Sequence, residues 1–389
     1  MGNSIWLYRL FDVAEEIDLN QVEDILAHTR ATSRVRLSRF PCRSIHFNNP
    51  PVVVELGRTQ VKLAADTLDA SFLGKIYDLG VVALVLKIEL PAVEYDYIKK
   101  LSILLETQGE ENDSCESILD ISLGTITSPH KSKDNKIAAQ ASEEETNIEN
   151  LFYAQLQSVC NILGPALIKP SPRFFVEDYK LFYFTDWQPE WDAIPILLGD
   201  AGPFSSQLRE DALRYSLTYS PQDLTIITWD AAVVYDKAGG RDIPDILEFA
   251  ICQLLELRYY DHLLNHEMTK TYDAIEKAQG VTSYRRYGQY RRIMKQMMEL
   301  VMDINEVTER IQNSLKVTGD VYYARVYRAA LDAFRSKVWM ESLERKITLI
   351  QQNYSLLNNE IVNERGALLE VAIILLFILE IVLGLLQLM

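Results

Sequence analysis

The residues of this chain best suited to chemistry are Asp261, His262 and His266. Two histidines four apart share one face of a helix, and with a carboxylate beside them such spacing can hold a divalent cation. They lie in the densest polar run of the chain, residues 256–267 (ELRYYDHLLNHE). A metal held there would make the protein a metal-dependent hydrolase or a nucleotide-acting enzyme. Against this, HExxH is absent and the whole chain has 5 histidines. Arg258 and Asp261 in interhelical ion pairs, with both histidines at the surface, account for the run better. Other acids (Asp186, Asp192, Asp200, Asp230, Asp236, Asp242 and Asp245) could pair for acid–base work. Their spacing matches no known site, and turn and capping roles explain them better. GxxxxGK[ST], GxGxxG after a strand and GxSxG are all missing from the sequence. The reading therefore assigns no catalytic residue and no cofactor.

Composition narrows the partners. A net charge of −16 disfavours a nucleic-acid partner, because phosphate binding needs a basic surface. Two segments, Tyr284-Arg285-Arg286-Tyr287 and Tyr290-Arg291-Arg292, interleave aromatics with arginines as RNA stacking would. A solvated helix face paired to nearby acids explains them better. Cys42, Cys115, Cys160 and Cys252 lie far apart, which is neither a disulfide framework nor a zinc knuckle and fits a reducing compartment. Residues 5–11 read as a strand, so no signal or transit peptide is expected.

The elements that must position any site begin with an α+β head. Residues 1–105 predict a strand at 5–11, a helix capped by Asp18, strands at 52–56, 60–64 and 81–90, and a helix from about Val93. Residues 106–150 shift to Ser, Asn, Glu, Asp and Lys without periodicity, a linker or disordered insertion. Residues 151–240 supply strands at 180–187, 223–229 and 231–236, followed by a turn at Gly239-Gly240. The second block repeats the order of the first, which suggests one antiparallel or mixed sheet built from two similar halves.

Residues 241–366 read as a helical stalk. A helix over 244–279 precedes two heptad seams. Ile293, Met297, Leu300, Ile304, Val307 and Ile311 form the first; Leu343, Ile347, Ile350, Tyr354, Leu357 and Ile361 form the second. Steps alternating between four and three are a coiled-coil signal. Thr318-Gly319-Asp320 between them is helix-stop then helix-start punctuation, so the spacing predicts an antiparallel coiled-coil hairpin.

Residues 367–389 (ALLEVAIILLFILEIVLGLLQLM) are almost wholly apolar. As a helix they would be about 34 Å long at 1.5 Å per residue, enough for a hydrocarbon core. Glu380 costs roughly 3 kcal/mol at the bilayer centre, which the surrounding Leu, Ile, Val and Phe residues offset. The expectation is a single C-terminal transmembrane helix, a tail anchor, with the membrane as partner and the bulk of the chain facing the cytoplasm. Ala372, Glu380 and Gly384 lie at multiples of four on one helix face, where small residues permit close approach and a polar group seeks a partner. That face predicts self-association.

The run Asn363-Glu364-Arg365, Ala367-Leu368, Glu370, nine apolar residues and Glu380-Ile381 resembles the tail of the required-for-meiotic-nuclear-division family. The match covers about 50 residues of this sequence, including the preceding helix over 343–359. Val371 stands where that family often has tryptophan. The resemblance implies a membrane-associated, oligomeric, non-enzymatic protein, with Glu370 and Glu380 as motif residues of the anchor and no catalytic residues to carry over. Taken together, the sequence predicts a membrane-anchored homo-oligomeric scaffold or adaptor whose α+β head offers a docking surface for a protein partner.

Overall fold

Strand β1 (Ser4–Ile17) is the spine of the head. Its sequence SIWLYRLFDVAEEI is rich in β-branched and aromatic residues on both faces, as a central strand requires. In the computed structural model, which describes residues 2–29, 37–39, 49–63, 66–91, 94–110, 118–119, 148–279, 283–314 and 320–388, β1 is paired on both sides. The chain continues through α1 (Leu19–Thr29), β2 (Leu37–Arg39), β3 (Val52–Leu63), β4 (Asp66–Ile76), β5 (Val81–Glu89), α2 (Tyr95–Glu110), β6 (Ile118–Leu119) and α3 (Ile148–Leu163). Then come β7 (Leu167–Phe184), α4 (Ile194–Leu198), α5 (Ser206–Ala212), β8 (Ser216–Leu217), β9 (Asp223–Ile227) and β10 (Ala231–Asp236). Four helices end it: α6 (Asp242–Gln279), α7 (Ser283–Ser314), α8 (Val321–Ala333) and α9 (Ser336–Leu388).

The strands form one 10-stranded sheet in the order β2-β3-β4-β5-β1-β7-β10-β9-β8, with β6 paired to β7. β1 is antiparallel to both β5 and β7. β7 and β10 run parallel, so the sheet is mixed. The two halves share an order of elements but not a sense of pairing. β5 returns on β1 through an antiparallel hairpin partner, whereas the chain crosses from β7 to β10 through α4, α5 and the β8–β9 strands. Residues 52–63, within a stretch expected as two strands, are the single strand β3, whose register shifts between Glu55 and Gly57. Gly57 has φ +117°, a conformation open to glycine.

Period-2 alternation sends β1 side chains to opposite faces. Ile5, Leu7, Phe11 and Val13 join a core with Phe72, Leu84, Leu86, Phe182 and Phe184, which α2 and α3 cover with Ile98, Leu101, Phe152 and Leu156. Ser102 of α2 donates to the Ile196 carbonyl at 2.6 Å, fixing α4 to that layer. Trp6, Tyr8 and Asp12 alternate with this set, and all three are buried as well.

The chain divides into two compact units, Met1–Tyr259 with Asn313–Lys337, and Tyr260–Gln312 with Val338–Met389. α8 belongs to the first unit. Asp320 is its N-cap, accepting from the Tyr322 amide at 2.7 Å. The chain then breaks at Phe334-Arg335, with Arg335 at φ +54°, before α9 begins. In the second unit α6 and α9 run in the same direction, because Asp261 meets Lys346 while Tyr272, further along, meets Asn353. The linker expected over 106–150 falls mainly outside the described residues, as do Thr318 and Gly319.

The expected transmembrane helix is corrected here. Among the described residues, no helix is long and apolar enough to cross a membrane. The physical reason lies in length. The apolar residues whose side chains are described, 371–381, rise only about 16 Å as a helix, against a hydrocarbon core of about 30 Å. The tail anchor, the single-pass membrane location with a cytoplasmic bulk, and the membrane as partner are withdrawn with it.

Candidate functional site

The polar face of the sheet is closed by the first half of α6, and it holds the strongest charge cluster of the head. Asp245, Glu248, Cys252 and Glu256 step along α6 by three and four, which places them on one helix face. Between them Ile246, Leu247, Ala250, Ile251, Leu254 and Leu255 are also buried, so this half of the helix is enclosed nearly all round. Lys75, near the end of β4, reaches into it. Its Nζ lies 2.9 Å from Asp245 Oδ1 and 2.6 Å from Glu248 Oε2, with side-chain exposures of 3%, 7% and 1% for the three groups. Tyr77 donates its hydroxyl to Glu248 Oε1 at 2.8 Å.

A turn at 77–80 holds this geometry. The Val13 amide donates to the Gly80 carbonyl at 2.9 Å. Gly80 has φ +92°, and a Cβ there would come within 1.8 Å of the Ala14 carbonyl oxygen. Only glycine lets the β4–β5 turn approach β1 this closely.

Burial and charge act in opposite senses on the cluster. Burial would lower the Lys75 ammonium, but the Asp245 and Glu248 carboxylates more than offset it and hold the amine charged well above its ordinary range. Burial pushes the Asp245 carboxyl up to about 6, with Lys75 opposing that shift. Burial alone raises Asp12 well above the usual carboxylate range. The Asp12 Oδ2 and Tyr8 hydroxyl oxygens are buried and complete no hydrogen bond. Burial, reinforced by Glu256 and Glu248, raises the Cys252 thiol, which suits an inert core cysteine and not a nucleophile.

Further ties run along the same helix. Arg258 pairs with Glu177 of β7, and burial carries the Glu177 carboxyl up to about 7 despite that arginine. Tyr327 of α8 donates to Gln253 Oε1. Chemically this is a clamp. A charged amine saturated by two carboxylates, with almost no exposed surface, fixes α6 to the sheet and has no route to a substrate.

The Asp261 cluster lies in the second unit, where its carboxylate is engaged by α9. Asp261 Oδ1 accepts from Lys346 Nζ at 2.5 Å and from Ser342 Oγ at 2.8 Å, so it joins α6 to α9. His262 and His266 are exposed. Among the described residues, no group of three or more His, Cys, Asp or Glu could hold a metal ion.

The heptad seams are placed in part. Ile293, Met297, Ile304, Leu343, Ile347 and Ile350 are buried, while Leu300 and Tyr354 are half-buried. Met294 and Val301, absent from the expected seam, are buried too, so the buried face of α7 is wider than a two-helix seam. The side chains of Val307, Ile311, Leu357, Ile361 and Gly384 lie outside the described residues. Beyond Ile350 no described side chain of α9 is buried. Ala372, Glu370 and Glu380 are exposed, and Leu369, Val371, Leu375, Leu376, Phe377 and Ile381 are each more than half exposed.

Sequence reading missed the Lys75 clamp. Its signal is present in residues 243–257, where Asp245, Glu248 and Glu256 interrupt an otherwise apolar helix at a spacing that keeps them on one face. A solvated face would mix charges of both signs, whereas this one is acidic throughout and demands a buried cation from elsewhere.

Comparison with known proteins adds a family. The family described as "Uncharacterized protein MJ0711, N-terminal domain" matches residues 2–242, which is more than half of the chain. The uncharacterised protein MJ0711 of Methanocaldococcus jannaschii is 25% identical over 220 residues, covering 54% of this chain and 66% of its own length. No solved structure matches. The matched stretch holds Lys75 and Tyr77 and ends before Asp245, and nothing in the comparison links the chain to the required-for-meiotic-nuclear-division family.

Proposed function

We propose, for a chain that belongs to the family of the uncharacterised MJ0711 N-terminal domain, an oligomeric scaffold or adaptor. Copies associate through the second half of α9, and the α+β head serves as a docking body. The observation that carries this is the mismatch between α9 and its surroundings. α9 has 53 residues and α7 has 32, about 80 Å against about 48 Å. Among the described residues, the last buried side chain of α9 is Ile350. The stretch beyond it exposes Leu356, Val362, Leu369 and the apolar run to Ile381. An apolar surface of that extent marks an association site, and a helix apolar all round is one that other helices cover.

A second copy supplies a matching apolar surface, which buries these side chains on both helices. Supporting the non-enzymatic reading, Lys75 is held by Asp245 and Glu248, and Asp261 by Lys346 and Ser342. Sedimentation of the full chain tests the proposal. A dimer or larger species that dissociates in Leu375→Glu/Leu376→Glu/Leu379→Glu supports it; a monomeric wild type sinks it.

A further inference from the structure

The head carries one exposed aromatic surface with a defined chemical character. Val321 and Tyr219 are 79% and 76% exposed, where most valines of the head are buried. Tyr219 packs its ring against Tyr322 at 5.2 Å between centroids, and Tyr322 against Tyr323 at 5.8 Å. The three rings and Val321 thus form one continuous patch, built from the turn before β9 and the first turn of α8.

Its backbone is held rigidly. Asp223 accepts from the Tyr219 amide at 2.6 Å and the Ser220 amide at 2.9 Å. Asp320 caps α8, and Asp236 accepts from the Gly240 amide at 2.8 Å. Tyr323 donates to Asp242 at 3.1 Å. Burial and then these carboxylates raise both phenols: Asp223 and Asp236 act on Tyr322, and Asp242, Asp320 and Asp236 act on Tyr323. Arg325 opposes the shift of Tyr322.

We infer that this patch is the docking surface of the head for a lysine- or arginine-rich peptide segment of a partner protein. Ring faces attract ammonium and guanidinium groups, and four fixed carboxylates at the rim add charge complementarity. A rigid exposed tyrosine also suits an interface anchor, since little side-chain freedom is lost on binding. The inference rests on the head being a docking body and is independent of the oligomeric state.

The test uses the full chain and two labelled peptides, one of alternating lysine and serine and one of alternating glutamate and serine, read by fluorescence anisotropy at low and high salt. The lysine peptide is expected to bind, and to weaken as salt rises. Tyr219→Ser/Val321→Ser is expected to weaken it about tenfold without changing Tm. Asp320→Asn, which keeps the helix cap, is expected to weaken it about threefold and flatten the salt dependence. Equal binding of the glutamate peptide, no binding of the lysine peptide, or unchanged binding by the double variant overturns the inference. Sedimentation of the same samples reads the oligomer separately, so failure of one reading is not mistaken for failure of the other.

Discussion

Lys75 Nζ of β4 stands 2.6 Å from Glu248 Oε2 of α6, 173 residues further along the chain. With Asp245 it makes a buried charge cluster joining the sheet to the helix that leaves the head. Removing the cation leaves two carboxylates enclosed without their partner. Lys75→Met is therefore expected to destabilise the head by about 3–5 kcal/mol. Adding Glu248→Leu to it should recover part of that loss, because the uncompensated charge is then reduced. Chemical denaturation of the two single variants and the double variant gives the coupling; strict additivity would contradict the clamp.

The clamp also gives the head a pH dependence whose sign can be worked out. Burial raises Asp245 to about 6 and Glu177 to about 7, above the ordinary carboxylate values near 4. Between about pH 4 and 7 the folded chain therefore binds more protons than the unfolded chain at these two sites. Their contribution destabilises the fold above that window and fades as pH falls through it, so stability from these groups rises on acidification. Thermal melts across the window should show Glu177→Gln with a flatter profile than wild type. A variant profile parallel to wild type would contradict the raised Glu177.

Gly80 makes a separate prediction. A side chain there meets the Ala14 carbonyl at 1.8 Å and must adopt φ +92°. Gly80→Ala should cost more than about 1 kcal/mol, the ordinary scale of a glycine substitution in a compatible site, because strain is added. Gly164→Ala, whose Cβ meets nothing within 4 Å, serves as the control with little effect in equilibrium unfolding.

In the second unit, Asp261 and the histidines are expected to separate. Asp261→Ala leaves Lys346 half-buried without its carboxylate and should destabilise the unit by about 2 kcal/mol. His262→Ala and His266→Ala, at exposed positions, should stay within about 0.5 kcal/mol. Thermal melts with and without a chelator check both points. A metal centre on these residues would couple all three substitutions to the chelator effect.

How much of this was legible follows from what each element depends on. β1, β5, β9 and β10 announce themselves, since β-branched and aromatic runs bounded by turn residues have no other good conformation. β4 was invisible because residues 66–76 carry Asp66, Asp69, Ser71 and Gly74, and only pairing with β3 and β5 makes them a strand. The parallel sense of β7 and β10 is a property of the crossover and not of either strand. The seam on α7 was read one register narrow, because Met294 and Val301 are buried by tertiary packing that a two-helix pattern does not anticipate. At residues 367–389 hydropathy was weighed over the whole run. Among the residues whose side chains are described, the apolar run ends at Ile381 and is shorter than a membrane requires. The Lys75 clamp needs a strand and a helix 170 residues apart to meet, and no local pattern records such a pairing.

The most direct test of the scaffold account is sedimentation equilibrium of the full chain beside Leu375→Glu/Leu376→Glu/Leu379→Glu. An oligomeric wild type and a monomeric variant are expected, with the head still folded, as shown by an unchanged near-ultraviolet circular dichroism spectrum. A wild type that sediments as a monomer, or a variant that keeps the same oligomer, contradicts it.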